Sequence, residues 1–280
     1  MDIFHVEGSL LSLFFFVILS FSVSGIIFAL TVKPRTESQV GKIPDDKIKE
    51  FFTKNNINWM VLALNYNMHG VNIRSENAAK PHTMPSRYLC EYIRSIEKNG
   101  HALDFGCGKL RYSDELISKF DEVTFLDSKR QLEREQIIRG IKTKIIDYVP
   151  RYYKNANTVA FEDVDKIIGG YDFILCSNVL SAVPCRDTID KIVLSIKRLL
   201  KSGGETLIVN QYKSSYFKKY ETGRKHLYGY IYKNSKSVSY YGLLDELAVQ
   251  EICSSHGLEI LKSWSKAGSS YVTVGSCNAI

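Results

Sequence analysis

The chain has 280 residues, of which 45% are hydrophobic and 24% are charged. These proportions are ordinary for a globular protein, so they exclude a disordered tail, a collagen-like fibre and a small disulfide-stapled domain. The formal net charge of +7 is a mild basic excess. It allows nucleic acid, phosphates or an anionic membrane surface as partners without requiring any of them.

The N-terminal segment, residues 1–32, contains the most uneven stretch of the chain. Residues 10–32 are 23 positions without a charge, of which 17 are apolar and six are Ser, Thr or Gly. A helix of that length spans ~34 Å, against a hydrocarbon core of roughly 30 Å. The charges before this run are acidic and those after it are basic, an order that places the rest of the chain in the cytoplasm.

We therefore predict a single-pass membrane anchor at residues 10–32, with the remaining chain in the cytoplasm. Two alternatives stay open. The run is either a buried helix or upstream sequence from a misassigned start, and in the second case the protein is soluble and cytoplasmic.

Residues 33–85 are predicted to be a linker followed by an accessory helical region. Prolines and flanking charges indicate a connector over 33–47, and short helical pieces are expected at 48–52 and 59–64. The six cysteines are scattered through the chain without a Cys-x-x-Cys pair. We therefore expect reduced, structural thiols and no metal site.

Residues 86–280 alternate between helix-forming and strand-forming patterns. Ser86 is expected to cap the first helix, which ends at Asn99-Gly100. In chain order the patterns then predict strand 101–105, helix 112–120, strand 122–126, helix 128–139, strand 158–161, strand 171–176, helix 188–200 ended by Gly203-Gly204, strand 205–209, helix 243–256 and a closing strand pair at 258–264 and 271–274. This alternation favours an α/β fold with a doubly wound, mostly parallel sheet.

The sharpest motif is the sequence LDFGCG at residues 103–108, between a predicted strand and a predicted helix. Open α/β sheets bind ligands at the carboxyl ends of their strands, where glycines let the backbone approach the ligand closely. Asp127 ends the next strand, 19 residues after Gly108. An acidic side chain at that point accepts hydrogen bonds from the ribose hydroxyls of a nucleoside. The combination predicts a nucleoside-containing ligand.

The residues after the motif disfavour a dinucleotide. A dinucleotide-binding loop has the pattern Gly-x-Gly-x-x-Gly, which seats pyrophosphate at the helix N-terminus. Here Gly108 is followed by Lys109, Leu110 and Arg111, so the last glycine is absent, and the chain has no Walker A loop. An oxidoreductase that uses a dinucleotide cofactor is therefore disfavoured by the sequence.

At this point the residues resemble the class I S-adenosylmethionine (SAM)-dependent methyltransferase family. LDFGCG is similar to its first motif, VTFLD ending at Asp127 to its second, and FEDV at 161–164 to its adenine-contacting segment. The segments 171–184 and 199–209 are similar to its fourth and fifth strands. The resemblance implies a Rossmann-like methyltransferase fold, SAM as the cofactor and methyl transfer as the activity.

The resemblance also implies a set of cofactor-binding residues. Asp104 would orient the glycine turn or meet the methionyl amino group, Asp127 would hold the ribose, and the fourth strand would end facing the transferable methyl. Arg87 lies upstream, where such enzymes sometimes reach the methionyl carboxylate. The implied set is Arg87, Asp104, Phe105, Gly106, Cys107, Gly108, Asp127, Ser128, Asp163, Val164, Cys176, Ser177 and Asn178.

Two departures from the family pattern bear on function. Leu110 stands where many members have a third glycine, which predicts either a narrowed pocket or a degenerate site. The fourth strand continues as Cys-Ser-Asn-Val at 176–179, which is neither the amino-methyltransferase motif nor the Pro-Cys motif of enzymes that modify nucleic acids. A small-molecule acceptor is therefore favoured over DNA, and Cys176 and Cys185 are interpreted as structural thiols.

An insert at residues 212–241 concentrates basic and aromatic side chains. It holds eight tyrosines and seven Lys or Arg against a single acid, Glu221. Tyr228, Tyr230 and Tyr232 alternate as on one face of a strand. Three interpretations stay open: a nucleic-acid grip, a lid over the acceptor pocket, or a solvated hairpin packed on the sheet. With a membrane anchor, the same charge would lie against anionic headgroups.

The catalytic base is not identified by the sequence. Tyr212 and His226 are weak candidates, because they follow the fifth strand of the motif, where acceptor contacts often lie. The leading hypothesis is a SAM-dependent methyltransferase with an unidentified acceptor, and the alternative is a non-catalytic module of the same fold that binds a nucleoside or nucleic acid. The oligomeric state is not determined by the sequence.

Overall fold

The structure is a computed structural model that describes residues 65–80, 83–97, 99–233, 235 and 237–276. The predicted membrane span at 10–32, the connector at 33–47 and the helical pieces at 48–52 and 59–64 lie outside the described residues. Within the described ranges, no helix has the length and apolar character needed to cross a membrane.

Strands and helices alternate through most of the described chain. In chain order they are β1 (Asn65–Met68), β2 (Val71–Arg74), α1 (Arg87–Ser95), β3 (His101–Phe105), α2 (Ser113–Lys119), β4 (Glu122–Asp127), α3 (Lys129–Glu133), β5 (Gln136–Ile138), β6 (Ile141–Thr143), α4 (Ile145–Tyr152), β7 (Ala156–Ala160), β8 (Tyr171–Ser177), α5 (Arg186–Leu199), β9 (Leu200–Gln211), β10 (Arg224–His226), β11 (Gly229–Lys233), β12 (Val238–Gly242), α6 (Glu246–Ser255), β13 (Leu258–Lys266) and β14 (Ser269–Ser276).

The central sheet has seven strands in the order β13-β14-β9-β8-β3-β4-β7. Strands β9, β8, β3, β4 and β7 are parallel, whereas β14 is antiparallel to β9 and β13 to β14. From β3 the chain first extends the sheet through β4 and β7, and it then returns to add β8 and β9 on the other side of β3. The doubly wound sheet is therefore confirmed, and its order reverses between β3 and β8, where such sheets bind ligands.

Each face of the sheet is covered by its own helices. The buried stripe of α5, with Ile189 and Ile196, packs on one face together with Val249 of α6. Leu89 of α1 and Leu116 of α2 pack on the opposite face. Because these helices carry apolar residues at spacings of three and four, each buries one side against the sheet.

The start of α1 agrees with the sequence prediction. Ser86 is its N-cap, and its hydroxyl accepts a hydrogen bond from the backbone N–H of Leu89 at 3.4 Å. In residues 65–80, which follow the helical pieces predicted at 48–52 and 59–64, the chain forms an antiparallel hairpin of β1 and β2 and then a 3₁₀ turn at Ser75–Ala78.

The helix predicted at 128–139 is wrong beyond its first turn. Helix α3 ends at Glu133, and β5 and β6 then form a hairpin. Arg139 and Gly140 have φ values of 49° and 81°, so the chain reverses at a point where a helix would need negative φ. Ile138 is fully buried, and burial of this side chain overrides the helical pattern of the charged residues. Helix α4, which contains Pro150, was not predicted.

The insert forms its own three-stranded antiparallel sheet, in the order β10-β11-β12. Tyr230 and Tyr232 are half-buried on one face of β11, and Ile231 points to the other face, as the alternation predicted. Ile231 and Tyr240 join the main core. The insert is therefore a packed part of the domain.

Candidate functional site

A cleft lies at the carboxyl ends of β3, β4 and β8, where the strand order reverses. Its empty volume is about 1090 Å³, including the open space at its mouth. Its floor is built by the glycine loop after β3, by Asp127 and Ser128 at the end of β4, and by Ser177 and Asn178 at the end of β8. The sequence motifs thus meet at one site, although they are separated along the chain.

The glycine loop is shaped by backbone hydrogen bonds and positive φ values. The N–H groups of Gly106 and Cys107 both donate to the carbonyl of Leu126, at 2.7 Å and 3.0 Å. Gly106 has a φ of 84°, and a Cβ at this position would overlap the Val179 side chain. Gly108 has a φ of 57°, with ordinary contact distance left for a Cβ. Both positions adopt a left-handed conformation that glycine favours, and close packing additionally requires glycine at Gly106.

Leu110 corrects one prediction. Its φ of 58° shows that the chain adopts here the left-handed conformation for which a glycine is the usual choice. Its side chain is fully buried in the core beneath the loop and does not line the cleft. The predicted narrowing of the pocket is therefore wrong, because Leu110 points away from the ligand.

Two carboxyl groups line the cleft, of which Asp104 is buried and Asp127 is partly buried. Asp127 accepts hydrogen bonds from the N–H of Gly108 at 2.8 Å and from the N–H of Ser128 at 2.7 Å. Burial raises its pKa to about 6, and these two N–H groups oppose the rise. Burial and, secondarily, the charge of Asp127 raise the pKa of Asp104 to about 8. Neither carboxyl has an ion-pair partner among the described residues, so the floor is suited to a cationic ligand.

The end of β8 is fixed by Asn178. Its φ is 59°, its N–H donates to the Val209 carbonyl at 2.7 Å, and its side-chain Oδ1 accepts from the N–H of Gln211 at 2.9 Å. Cys176 lies fully buried below this turn and does not line the cleft, contrary to its implied place near the methyl group. Burial also raises the pKa of its thiol, as expected for a structural cysteine.

Three further implied residues lie outside the cleft. Asp163 is half-exposed and pairs with Lys166 Nζ at 2.6 Å, and Val164 is fully buried in the core. Phe161, at the start of the same segment, lines the cleft in their place. Arg87 is exposed and pairs with Glu91 at 2.8 Å, so it lies on the solvent side of α1 and not at the cleft.

The two candidate bases also lie away from the cleft lining. The N–H of Tyr212 donates to the Gly268 carbonyl at 3.0 Å. His226 contacts the Pro184 carbonyl at 2.7 Å and the ring of His69 at 3.2 Å. The insert contributes Tyr241 to the cleft wall instead.

Several cleft residues were missed by the sequence reasoning. Lys109 and Arg111 flank the glycine motif and line the cleft, and their position beside LDFGCG could have indicated a role. Six more come from a strap, which we define as residues 65–80. It contributes Tyr66, Ser75, Glu76, Ala78, Ala79 and Lys80. No motif marks these residues, since they reach the cleft only through the β1–β2 hairpin.

Comparisons with known proteins agree with this architecture. Residues 103–206 match the model of a family described as a methyltransferase domain. Residues 1–54 match the model of the YmfE protein family.

Among solved structures, a DhpI–SAH complex is similar with a TM-score of 0.50 and 14% identity, over 67% of this chain and 82% of that chain. A DhpI–SAM–HEP complex is similar with a TM-score of 0.49 and 13% identity, over 84% of this chain and 99% of that chain. A SAM-dependent methyltransferase from Methanosarcina mazei is similar with a TM-score of 0.47 and 15% identity, over 69% of this chain and 99% of that chain.

The sheet order, the glycine loop and the acidic residue at the end of β4 form a methyltransferase-like α/β fold, so the fold that the resemblance of the motifs implied is confirmed. Residues 103–206 are the part of the chain that is similar to a methyltransferase domain.

Proposed function

We propose that the protein binds SAM in this cleft and transfers its methyl group to a small-molecule acceptor. The observation that carries the proposal is the floor of the cleft, where Asp104 is buried and Asp127 is partly buried, and neither has an ion-pair partner among the described residues. SAM has a sulfonium and an ammonium group that suit such a floor, and it has ribose hydroxyls that suit Asp127. Lys109 and Arg111 at the rim suit its carboxylate.

The residues of the chain then act mainly by positioning. When bound, SAM supplies an electrophilic methyl group that a nucleophilic N, O, S or C atom of the acceptor attacks. The glycine loop lets the backbone lie against the ligand, and Asn178 holds the end of β8 in place through its bonds to β9. The strap and Tyr241 cover the cleft and restrict the access of water and acceptor.

The lining of the cleft supports a small molecule over a nucleic acid. Residues of the strap and Tyr241 of the insert sheet both line the cleft, so an acceptor would bind beside them. The exposed cations Lys218, Arg224 and Lys225 lie on the insert, and a nucleic-acid acceptor would use them. Binding of DNA or RNA would then fall steeply with salt, whereas a flat salt response supports the small-molecule proposal.

Calorimetric titration of the full-length protein with SAM, S-adenosylhomocysteine (SAH) and NADH tests the cofactor. We expect saturable binding of SAM and SAH and none of NADH. Failure to bind SAM and SAH would refute the proposal. Radiolabelled methyl transfer into a cell lysate, separated into small molecules, lipid, protein and nucleic acid, then identifies the acceptor class.

A non-catalytic nucleoside-binding module is the second candidate. It is favoured by the positions of Tyr212 and His226, because neither candidate base reaches the cleft. Tight SAM binding without methyl transfer into any lysate fraction would support it.

We also propose that residues 10–32 anchor the protein to a membrane, with the methyltransferase domain in the cytoplasm. The support is the length of the uncharged run and the order of the flanking charges. Alkaline carbonate should leave the full-length protein in the membrane pellet and should extract a variant with Ile18→Arg.

A further inference from the structure

The strap lies outside the residues that match the methyltransferase domain, yet it completes the cleft. Two of its polar side chains line the cleft and are more than nine-tenths buried, since Tyr66 is 3% and Glu76 is 9% exposed. Buried polar groups in a segment added to a domain call for a reason, because burial of a carboxylate is costly unless a partner is present.

The position of Glu76 places the strap at the ribose end of the cleft. Glu76 Oε1 lies 2.8 Å from Arg130 Nε on α3, and Arg134 Nη2 donates to the Glu76 carbonyl at 3.2 Å. Burial lowers the pKa of Arg134, and the charges of Glu76 and Asp127 both oppose this lowering, so Arg134 lies near both carboxylates. Asp127 ends β4, where α/β sheets hold the ribose of a nucleotide ligand. Glu76 therefore lies close to the carboxylate that marks the nucleoside.

Three buried side-chain oxygens of residues that line the cleft have no well-aligned hydrogen-bond partner among the described residues. The Tyr66 hydroxyl lies beside Ser75 and Thr188 without a hydrogen bond of good geometry. Glu76 Oε1 is close to Arg130, but the contact is not aligned as a hydrogen bond. Gln131 Oε1 is also buried without a partner, and its residue is 0% exposed and lines the cleft. Buried groups of this kind are rare in folded proteins unless a ligand or water satisfies them.

We infer that Tyr66 and Glu76 of the strap form the roof of the nucleoside end of the site, with the Glu76 carboxylate accepting a hydrogen bond from a hydroxyl or amino group of the nucleoside. Arg130 orients Glu76 by pairing with it from the solvent side, where Arg130 is half-exposed. The inference rests on the proposed function, because it requires a nucleoside cofactor. It gives the strap a binding role that the methyltransferase motifs do not contain.

The test compares Glu76→Gln, which keeps the shape but removes the charge, with Arg130→Gln, which removes the pairing but leaves the carboxylate. The ligands are SAH and 5′-methylthioadenosine, which lacks the amino-acid end. Glu76→Gln should weaken both by about 10-fold or more, the usual loss for a hydrogen bond to a charged group. Arg130→Gln should weaken both by a smaller factor. Glu91→Gln, in an exposed pair of α1, is the matched control and should change neither.

The outcomes separate a contact from a structural role. Equal losses in Glu76→Gln and Arg130→Gln would overturn the inference, since Glu76 would then act only by holding the strap. An unchanged affinity for 5′-methylthioadenosine in Glu76→Gln would also overturn it. If Glu76→Gln does not fold, Tyr66→Phe replaces it, with an expected loss of about 3-fold or more for both ligands, and no loss refutes the role of the strap. Wild-type protein that binds neither ligand would refute the proposed function itself.

Discussion

Replacing Asp104 by Asn is the sharpest test of how the cleft floor works. The side chain is 3% exposed at the end of β3, and the raised pKa of about 8 means that it is mainly protonated at neutral pH when the cleft is empty. Asn keeps the size and polarity of the protonated acid but cannot ionise. The variant therefore removes one titration from the folded protein and little else.

The expected effect follows from proton linkage. In the unfolded chain the pKa of Asp104 returns to its ordinary value of 3.8, so folding takes up a proton between that value and about 8. Stability then falls as pH rises through this window, by about 1.4 kcal/mol for each pH unit. From about pH 6 to about pH 9, the wild type should lose about 2–3 kcal/mol of unfolding free energy through this group. Above the folded pKa the carboxyl is ionised in both states, and the loss stops.

Urea unfolding at a series of pH values, followed by tryptophan fluorescence, measures this loss. Groups that do not interact with Asp104 contribute equally to both proteins, so the difference between wild type and Asp104→Asn reports Asp104 together with Asp127, whose charge is coupled to it. The wild type should become less stable than the variant as pH rises, and SAM should protect the wild type more at high pH, when the carboxylate is charged. Parallel stability curves for the two proteins would show that Asp104 is not the buried, uncompensated acid described above.

The remaining predictions concern the glycine loop, its core and the ribose site. Gly106→Ala should abolish measurable SAM binding and also lower the melting temperature, because the added Cβ overlaps Val179 at a φ of 84°; a stable variant with normal affinity would contradict the loop geometry. Asp127→Ala should weaken SAH binding by about 1–3 kcal/mol in calorimetry, since it removes an acceptor for the ribose and leaves the N–H groups of Gly108 and Ser128 unpaired. Leu110→Gly should destabilise the fold by about 2–4 kcal/mol in urea unfolding, because the lost burial outweighs the relief at positive φ. The same variant should retain SAH affinity, and a large loss would mean that Leu110 does shape the pocket.

Local patterns predicted the parts of the site that lie next to each other in sequence. LDFGCG places two glycines directly after a buried strand, and the fold uses them there with positive φ. Asp127 follows from the end of the next strand, and Ser86 from its position before an apolar helical stripe. In each case the local structure depends on residues that are adjacent in sequence, so the sequence pattern predicts it correctly.

Prediction failed where a distant contact decided the local structure. The charged stretch after α3 has a helical composition, but the burial of Ile138 and the turn at Gly140 produce a hairpin. Asp163 was assigned to the adenine from its motif, whereas the 3₁₀ turn that contains it points the carboxylate to Lys166 and presents Phe161 to the cleft. The local composition does not predict such orientations, because the orientation of a side chain depends on which side of a turn faces the sheet.

The sequence by itself determined the class of fold and the floor of the site. Strand periodicity, the glycine loop and Asp127 are set by local geometry, so they could be recognised without coordinates. The tertiary structure decided what covers that floor. Tyr66 and Glu76 lie far along the chain from the α5 and α3 residues beside them, and only the hairpin of the strap and the packing of the insert sheet bring these side chains to the cleft. Contacts of such long sequence separation arise from the burial of the whole domain, and no local pattern encodes them.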